Sequence, residues 1–551
     1  MTNKVIILLL AIGRFSTVVT TSDANSIDLS LSGVTINGAS SYDEFGWSVS
    51  DAGDVNGDGY GDIVVGSDYA SPLLRPHAGV SYIIYGRATG LTDIDLAELN
   101  HTEGFKINGA ASGDYSGTSV SAAGDVNGDG FGDVIIGADQ ASPLSRSRAG
   151  ASYVIYGKAS GFHDIDLAHL HPSEGFTIIG AAAGDEAGSC VGSAGDMNGD
   201  GYDDVVIGAP AVSIGKTFNL GMSYVIFGKR WFFKEDIDLA SLKQSEGFAI
   251  QGAKAGDTLG SAIGTAGDMN GDGFGDLLIG VAAADGKTRK YSGVSYVIFG
   301  KSMPFSTIDL SSLSLVDGIT IYGADEHDGS GFSVSEAGDM NGDGYGDIVI
   351  GAYGAIPTTE DDGYFIGVSY IIYGRATGLT DIDLAELNHT EGFKINGAAS
   401  GDYSGTSVSA AGDVNGDGFG DVIIGADQAS PLSRSRAGAS YVIYGKASGF
   451  HDIDLAHLHP SEGFTIIGAA AGDEAGWSVS SAGDMNGDGY DDVVIGAPKA
   501  DPILRPAAGI SFVVFGAQTP ILTHAPSLSP TMSPSFPRKK HSPSLSPVAS
   551  L

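Results

Sequence analysis

"GDVNGDGYGDIVVG", residues 53–66, sets three aspartates and an asparagine at alternate positions of a nine-residue loop and then runs straight into an apolar strand. With Asp54 as position 1, the oxygen donors are Asp54, Asn56, Asp58, the carbonyl of Tyr60 and Asp62. Alternate residues of a tight loop point inward, so these five can converge on one hard cation, and calcium takes such oxygens at about 2.3–2.6 Å. Gly59, at position 6, permits the sharp turn. An Asn-Gly/Asp-Gly turn between two strands would account equally well for a single loop of this kind.

The loop is not single. It returns at Asp125, Asn127, Asp129, Phe131 and Asp133, and again at Asp196, Asn198, Asp200, Tyr202 and Asp204. A fourth copy has Asp268, Asn270, Asp272, Phe274 and Asp276, and a fifth Asp339, Asn341, Asp343, Tyr345 and Asp347. The last two have Asp413, Asn415, Asp417, Phe419 and Asp421, then Asp484, Asn486, Asp488, Tyr490 and Asp492. Successive copies lie 71, 71, 72, 71, 74 and 71 residues apart. A turn needs only the glycines, whereas three clustered carboxylates repel one another unless a cation compensates them. The expectation is a metal site in every copy, up to seven Ca²⁺. Calcium is favoured over magnesium because magnesium retains waters and demands stricter octahedral geometry. The loop begins like an EF-hand, but position 12 of the first copy is Val65, in a β-branched run, where an EF-hand has a bidentate Glu and a helix. It is therefore read as a loop between strands.

The 551 residues carry 67 acidic and 28 basic side chains, a formal charge of −39, which argues against nucleic acid or an anionic membrane surface as partner. Three aspartates in each of seven loops make 21 of those acids, and seven bound Ca²⁺ would bring the charge to −25. Residues 5–13, "VIILLLAIG", follow Lys4 and suit the core of a signal peptide spanning 1–22, being too short to cross a bilayer. The expected location is secreted, extracellular, cell-surface or matrix-associated, with no transmembrane segment. The one cysteine, Cys190, stands where other repeats carry Ser119 or Ser333 and reads as a small buried residue.

Each period holds four β-like segments, exemplified by "SVSAAG" (119–124), "DVIIGA" (133–138), "ASYVIYG" (151–157) and "FTIIGA" (176–181), with a "DIDLAHL" connection (164–170) before the last. Four antiparallel strands per repeat and seven repeats describe an all-β, seven-bladed β-propeller over residues 23–516. The last repeat stops after "SFVVFG" (511–516), and the missing end stands at the other terminus as "SIDLSLSGVTINGA" (26–39). An N-terminal strand is thus expected to complete the seventh blade and remove an exposed sheet edge. Residues 79–188 are identical to 367–476, an offset of four repeats. Residues 517–551 carry 7 of the 19 prolines in a Ser-Pro rhythm and are expected to be a disordered tail.

This pattern resembles the FG-GAP repeats of the integrin α-subunit head. The naming dipeptide is Phe45-Gly46, with Gly117, Gly188, Gly260, Gly331, Gly405 and Gly476 aligned to its glycine, and "GAP" is literal at 208–210 and 496–498. The resemblance implies a calcium-binding propeller used outside the cell for adhesion or ligand recognition, with a partner subunit by analogy. All seven loops look complete here, whereas integrin α heads carry calcium loops in only some blades. "DLSLS" (28–32) fits the D-x-S-x-S metal motif on paper but aligns with the "DIDL" connections and is discounted.

The leading expectation is a non-catalytic recognition module for an extracellular protein or acidic polysaccharide, not an enzyme. The rivals are a structural wall or matrix component and a propeller hydrolase. The loops between second and third strands hold 11 of the 28 basic residues. Among them Arg75, Arg146, Arg148, Arg434, Arg436 and Arg505 are candidates to meet an anionic ligand. The competing expectation pairs them with Asp43, Asp114, Asp185, Asp257, Asp328, Asp402 and Asp473, on the same end. Asn100 and Asn388, duplicates in "NHT", are candidate N-glycan sites.

Overall fold

The structure, a computed structural model, describes residues 25–230, 233, 236–356 and 365–517. The expected signal peptide and all but Ala517 of the expected tail lie outside these residues. Seven sheets are present, each built on the same antiparallel meander. In the first blade its strands are Ser48–Gly53, Asp62–Ser67, Val80–Ile84 and Gly104–Asn108. The helical elements among the described residues are three-residue 3₁₀ turns, and no helix among them is long and apolar enough to cross a membrane.

Burial explains the composition of each strand. The second strand, "DIVVGS" in the first blade, is buried at every residue, as are its six counterparts. A strand covered on both faces reads as a continuous apolar run, and here the covers are the neighbouring blades. First strands are only partly covered, with Val49 and Ala52 buried and the residues between them half-buried. They stand side by side in a closed ring, the first touching the last. The Val120 N–H donates to Ser48 Oγ at 3.0 Å, and Val49 N–H to Ser478 Oγ at 3.1 Å across the closure. Cys190 takes the serine place in the third blade, with Sγ 4.0 Å from the Ile263 carbonyl; it is free and half-buried, less enclosed than expected because it lies on this innermost strand.

The two glycines of the repeat motif meet between blades. Gly117 N–H donates to the Gly137 carbonyl of its own blade at 2.9 Å, while a Cβ on Gly66 of the preceding blade would overlap the Gly117 carbonyl. The same approach recurs from Gly137 to Gly188 and, across the closure, from Gly496 to Gly46. Blade spacing at this level therefore requires glycine.

The N-terminal segment completes the last blade as expected. Val34–Asn37 pairs antiparallel with Ile510–Val514. Each sheet has one strand more than the four expected. The "DID" part of each connection adds a short parallel strand to the fourth strand of the preceding blade: Ile165–Asp166 to Gly104–Asn108 in the first blade, Ser26–Asp28 to Gly463–Ile467 in the sixth. Every outer edge is thus covered by a strand borrowed from the next blade.

Candidate metal centres

Each loop begins at a bulge. The register between first and second strands shifts between Asp51 and Gly53, and Gly53 takes a φ of +67° that turns the chain into the loop. Within the fourth loop, Asp268 Oδ1 accepts from the N–H groups of Gly271 and Asp272 at 2.7 and 3.0 Å, and Oδ2 from Gly273 at 2.9 Å. Asp272 Oδ1 accepts from Phe274 N–H at 3.0 Å. Asp276, at position 9, is fully buried; it accepts from Met269 N–H at 3.0 Å and from Gly300 N–H at 2.9 Å. Gly300 follows the third strand, so position 9 ties the loop to the rest of its blade. The other position-9 aspartates do the same with 2.8–2.9 Å bonds at that second contact.

These carboxylates are electrostatically uncompensated. Burial, followed by repulsion from Asp58 and Asp54, pushes Asp62 up to about 8. Burial likewise raises Asp204, Asp421 and Asp492 to about 8, Asp276 and Asp347 to about 7, and Asp133 well above the usual range. No loop position carries Lys or Arg. The expected convergence of three carboxylates is not closed: among the described residues, no three His, Cys, Asp or Glu side chains gather where they could hold a metal. The position-1 carboxylate is turned onto backbone N–H groups instead. The remaining donors nevertheless fit a hard cation, because the side-chain carbonyl oxygens of Asn198, Asn341 and Asn415, all at position 3, are buried without a hydrogen-bond partner. An orphaned buried acceptor beside repelling carboxylates is the donor chemistry calcium uses.

Two groups near the loops were not singled out in sequence. Asp203 and Asp491 replace glycine at position 8, and their Oδ2 atoms accept from the N–H of Asp125 and Asp413 in the preceding loops at 2.8 and 2.7 Å. "DGYDD" in place of "DGYGD" is their signal.

The arginines of the opposite end are engaged within the protein. Arg75 Nη1 and Nη2 donate to Asp166 at 2.5 and 3.0 Å, and Nη1 also to the Gly109 carbonyl at 3.0 Å. Arg146 holds Asp238 at 2.6 and 2.8 Å, Arg434 holds Asp28 at 2.7 and 2.9 Å, and Arg505 holds Asp95 at 2.5 and 2.8 Å. In every case the aspartate ends a borrowed strand and the arginine belongs to the blade that borrows it. These four are blade clamps, their forks occupied in the geometry an anionic ligand would need. Arg148 and Arg436 pair with Glu186 and Glu474 and keep 57% side-chain exposure. The competing expectation named other aspartates; Asp114 and Asp473 instead accept from the N–H three residues earlier, at 3.0 Å. Asp28 of "DLSLS" is itself a clamp residue, in keeping with its dismissal as a metal motif.

Asn100 and Asn388 are exposed, each at a turn where its Oδ1 accepts from the N–H of Thr102 or Thr390 at 3.0 Å.

The family model for the FG-GAP repeat matches residues 45–84, 116–155, 191–226, 259–298, 332–371, 404–443 and 475–514. Each match contains one of the seven loops. Among relatives, phosphatidylinositol-glycan-specific phospholipase D of Bos taurus is 32% identical over 230 residues, 38% of this chain and 25% of the relative. Integrin alpha pat-2 of Caenorhabditis briggsae is 26% identical over 253 residues, 44% of this chain and 18% of the relative. Integrin alpha-PS2 of Drosophila melanogaster is 30% identical over 188 residues, 32% of this chain and 12% of the relative. The chain thus spans a quarter or less of the length of these relatives. With seven matched repeats closing seven blades, the chain belongs to the FG-GAP repeat family as an integrin-α-like member.

Proposed function

We propose that this propeller is a non-catalytic recognition module that works outside the cell, at the cell surface or in a matrix, and is stiffened by up to seven Ca²⁺. The observation that carries the calcium reading is the loop itself: three carboxylates without a basic residue, beside a position-3 carbonyl left unpartnered in the third, fifth and sixth copies. Positions 1, 3, 5, 7 and 9 would hold the ion, which supplies charge compensation and a rigid loop. Sites of this kind in extracellular modules bind at about 10⁻⁴–10⁻³ M, matched to calcium outside cells. Kinship with integrin α chains supports adhesion or ligand recognition, with an extracellular protein or acidic polysaccharide as ligand and a partner subunit by analogy.

The test is direct ion counting on the secreted full chain after equilibrium dialysis. About seven calcium per chain, undiminished by millimolar magnesium, supports the reading, and none overturns it.

A second reading is favoured by the phospholipase relatives: the propeller could serve an enzyme acting on phosphatidylinositol-glycan. Release of a phosphatidylinositol-glycan-anchored protein from vesicles by the purified chain would establish it.

A further inference from the structure

The seven loops are joined to one another as well as to their own blades. Gly132, at position 8 of the second loop, donates its N–H to the carbonyl of Asp54, position 1 of the first, at 3.1 Å. The six equivalent bonds run 3.0–3.3 Å, and the one from Gly61 to the Asp484 carbonyl closes the circle at 3.1 Å. A second tie starts from position 9. Asp133 accepts from Gly157 N–H at 2.9 Å, and the next residue, Lys158, donates to the carbonyl of Val55, position 2 of the first loop, at 2.9 Å. All seven junctions repeat this tie at 2.7–3.0 Å, including Arg87 N–H to the Met485 carbonyl.

A third contact uses side chains. The ring at position 7 lies on the glycine at position 4 of the preceding loop, so closely that a Cβ on Gly57 would overlap Phe131. The same holds for every pair, ending with Gly487 beneath Tyr60. This accounts for the aromatic residue at position 7, where the metal chemistry asks only for a backbone carbonyl.

Resting on the calcium reading, we infer that the seven sites bind cooperatively around the ring. Positions 1 and 7 are both expected ligand positions and points of attachment to a neighbouring loop, and position 9 holds the glycine whose next residue makes the second tie. Ordering one loop around an ion fixes the Asp54-type peptide and the position-4 glycine on which the next loop's positions 7 and 8 rest. The next ion then meets a loop whose ordering cost has been partly met, which is positive coupling between sites. Because the circle is closed, no loop is terminal. The propeller responds to calcium as a unit, more steeply than seven separate sites.

The experiment is calcium binding to the full chain, followed by ion count and by intrinsic fluorescence, for wild type, Asp129→Ala, Phe131→Ala and the milder Phe131→Leu. Phe131 variants keep all backbone and carboxylate donors and lose only the contact with Gly57. The expected wild-type Hill coefficient is above about 1.5, and Asp129→Ala weakens the flanking loops by about 5-fold or more in addition to removing one ion. Phe131→Ala, or Phe131→Leu if the alanine variant folds poorly, retains seven ions but lowers the Hill coefficient. Seven ions with a Hill coefficient of 1, and loss of one ion alone in Asp129→Ala, would overturn the coupling while leaving the calcium reading intact. No bound calcium in the wild type would overturn both.

Discussion

Arg434 grips Asp28 through Nη1 and Nη2 at 2.7 and 2.9 Å, joining residues 406 apart in the chain. Asp28 ends the N-terminal strand laid on the sixth blade, so this pair fastens the beginning of the described chain to the blade before the last. The guanidinium also reaches the Gly468 carbonyl at 2.9 Å, tying the clamp to the fourth strand beneath. Replacing the arginine leaves a carboxylate with 3% side-chain exposure facing no cation. Arg434→Met is therefore expected to destabilise the fold by about 2–3 kcal/mol, the worth of a charge-assisted pair broken from one side. Thermal unfolding at saturating calcium measures it; an unchanged melting temperature would show the closure to be held by strand pairing alone.

The clamps also predict an acid limb. Arg75 beside Asp166 holds its carboxyl at about 2, and the arginine partners of Asp95 and Asp238 lower those carboxyls too. A carboxylate lowered in the folded state stabilises it fully above the unfolded value of about 3.9 and ceases to do so as pH falls through the folded value. The stability gap between wild type and Arg75→Met is expected to be constant from pH 7 to pH 5 and to shrink toward pH 2. Urea midpoints for both proteins at each pH supply the comparison, and a gap that widened on acidification would contradict the clamp.

Two aspartates of the same loop are expected to behave differently. Asp276 is fully buried and accepts from two backbone N–H groups, whereas Asp272 is exposed and accepts from one. Asp276→Ala leaves two buried donors unpaired and should cost about 3 kcal/mol even in a chelator. Asp272→Ala should be near neutral in chelator and reveal its loss only when calcium is added. Equal effects of both variants under both conditions would mean that position 5 has no part in metal binding.

The glycine contact between blades yields a steric prediction. A Cβ on Gly137 would overlap the backbone carbonyl of Gly188 in the next blade, and a backbone atom yields less than a side chain. Gly137→Ala is expected to lower the melting temperature by several degrees or prevent folding, while Gly130→Ala, open to solvent with φ +89°, costs only backbone strain of about 1 kcal/mol. The yield of folded protein and thermal unfolding distinguish the two.

Much of this was legible in sequence for a physical reason. Seven loops at a near-constant period, each followed by a doubly apolar run such as "DIVVGS", fix the blade count, and the orphan "VTIN" at 34–37 could complete only the repeat that lacked its end. The borrowed strand was not legible. "DID" is two residues of pairing, it reads as a polar connection, and its partner lies in another blade, as Asp166 does 91 residues from Arg75. For the same reason the clamp arginines look like a free basic face in sequence. The seven acidic loops were legible in composition but not in side-chain direction, since the position-1 aspartates are turned onto N–H donors that any sequence supplies.

The most direct test is thermal unfolding of the purified full chain in chelator and across a calcium titration, with magnesium as control. A site saturated at about 100 times its dissociation constant adds about 2.7 kcal/mol. A large calcium-specific rise in melting temperature is the predicted result. The same melting temperature in chelator and in millimolar calcium would contradict the account and reduce the seven loops to turns.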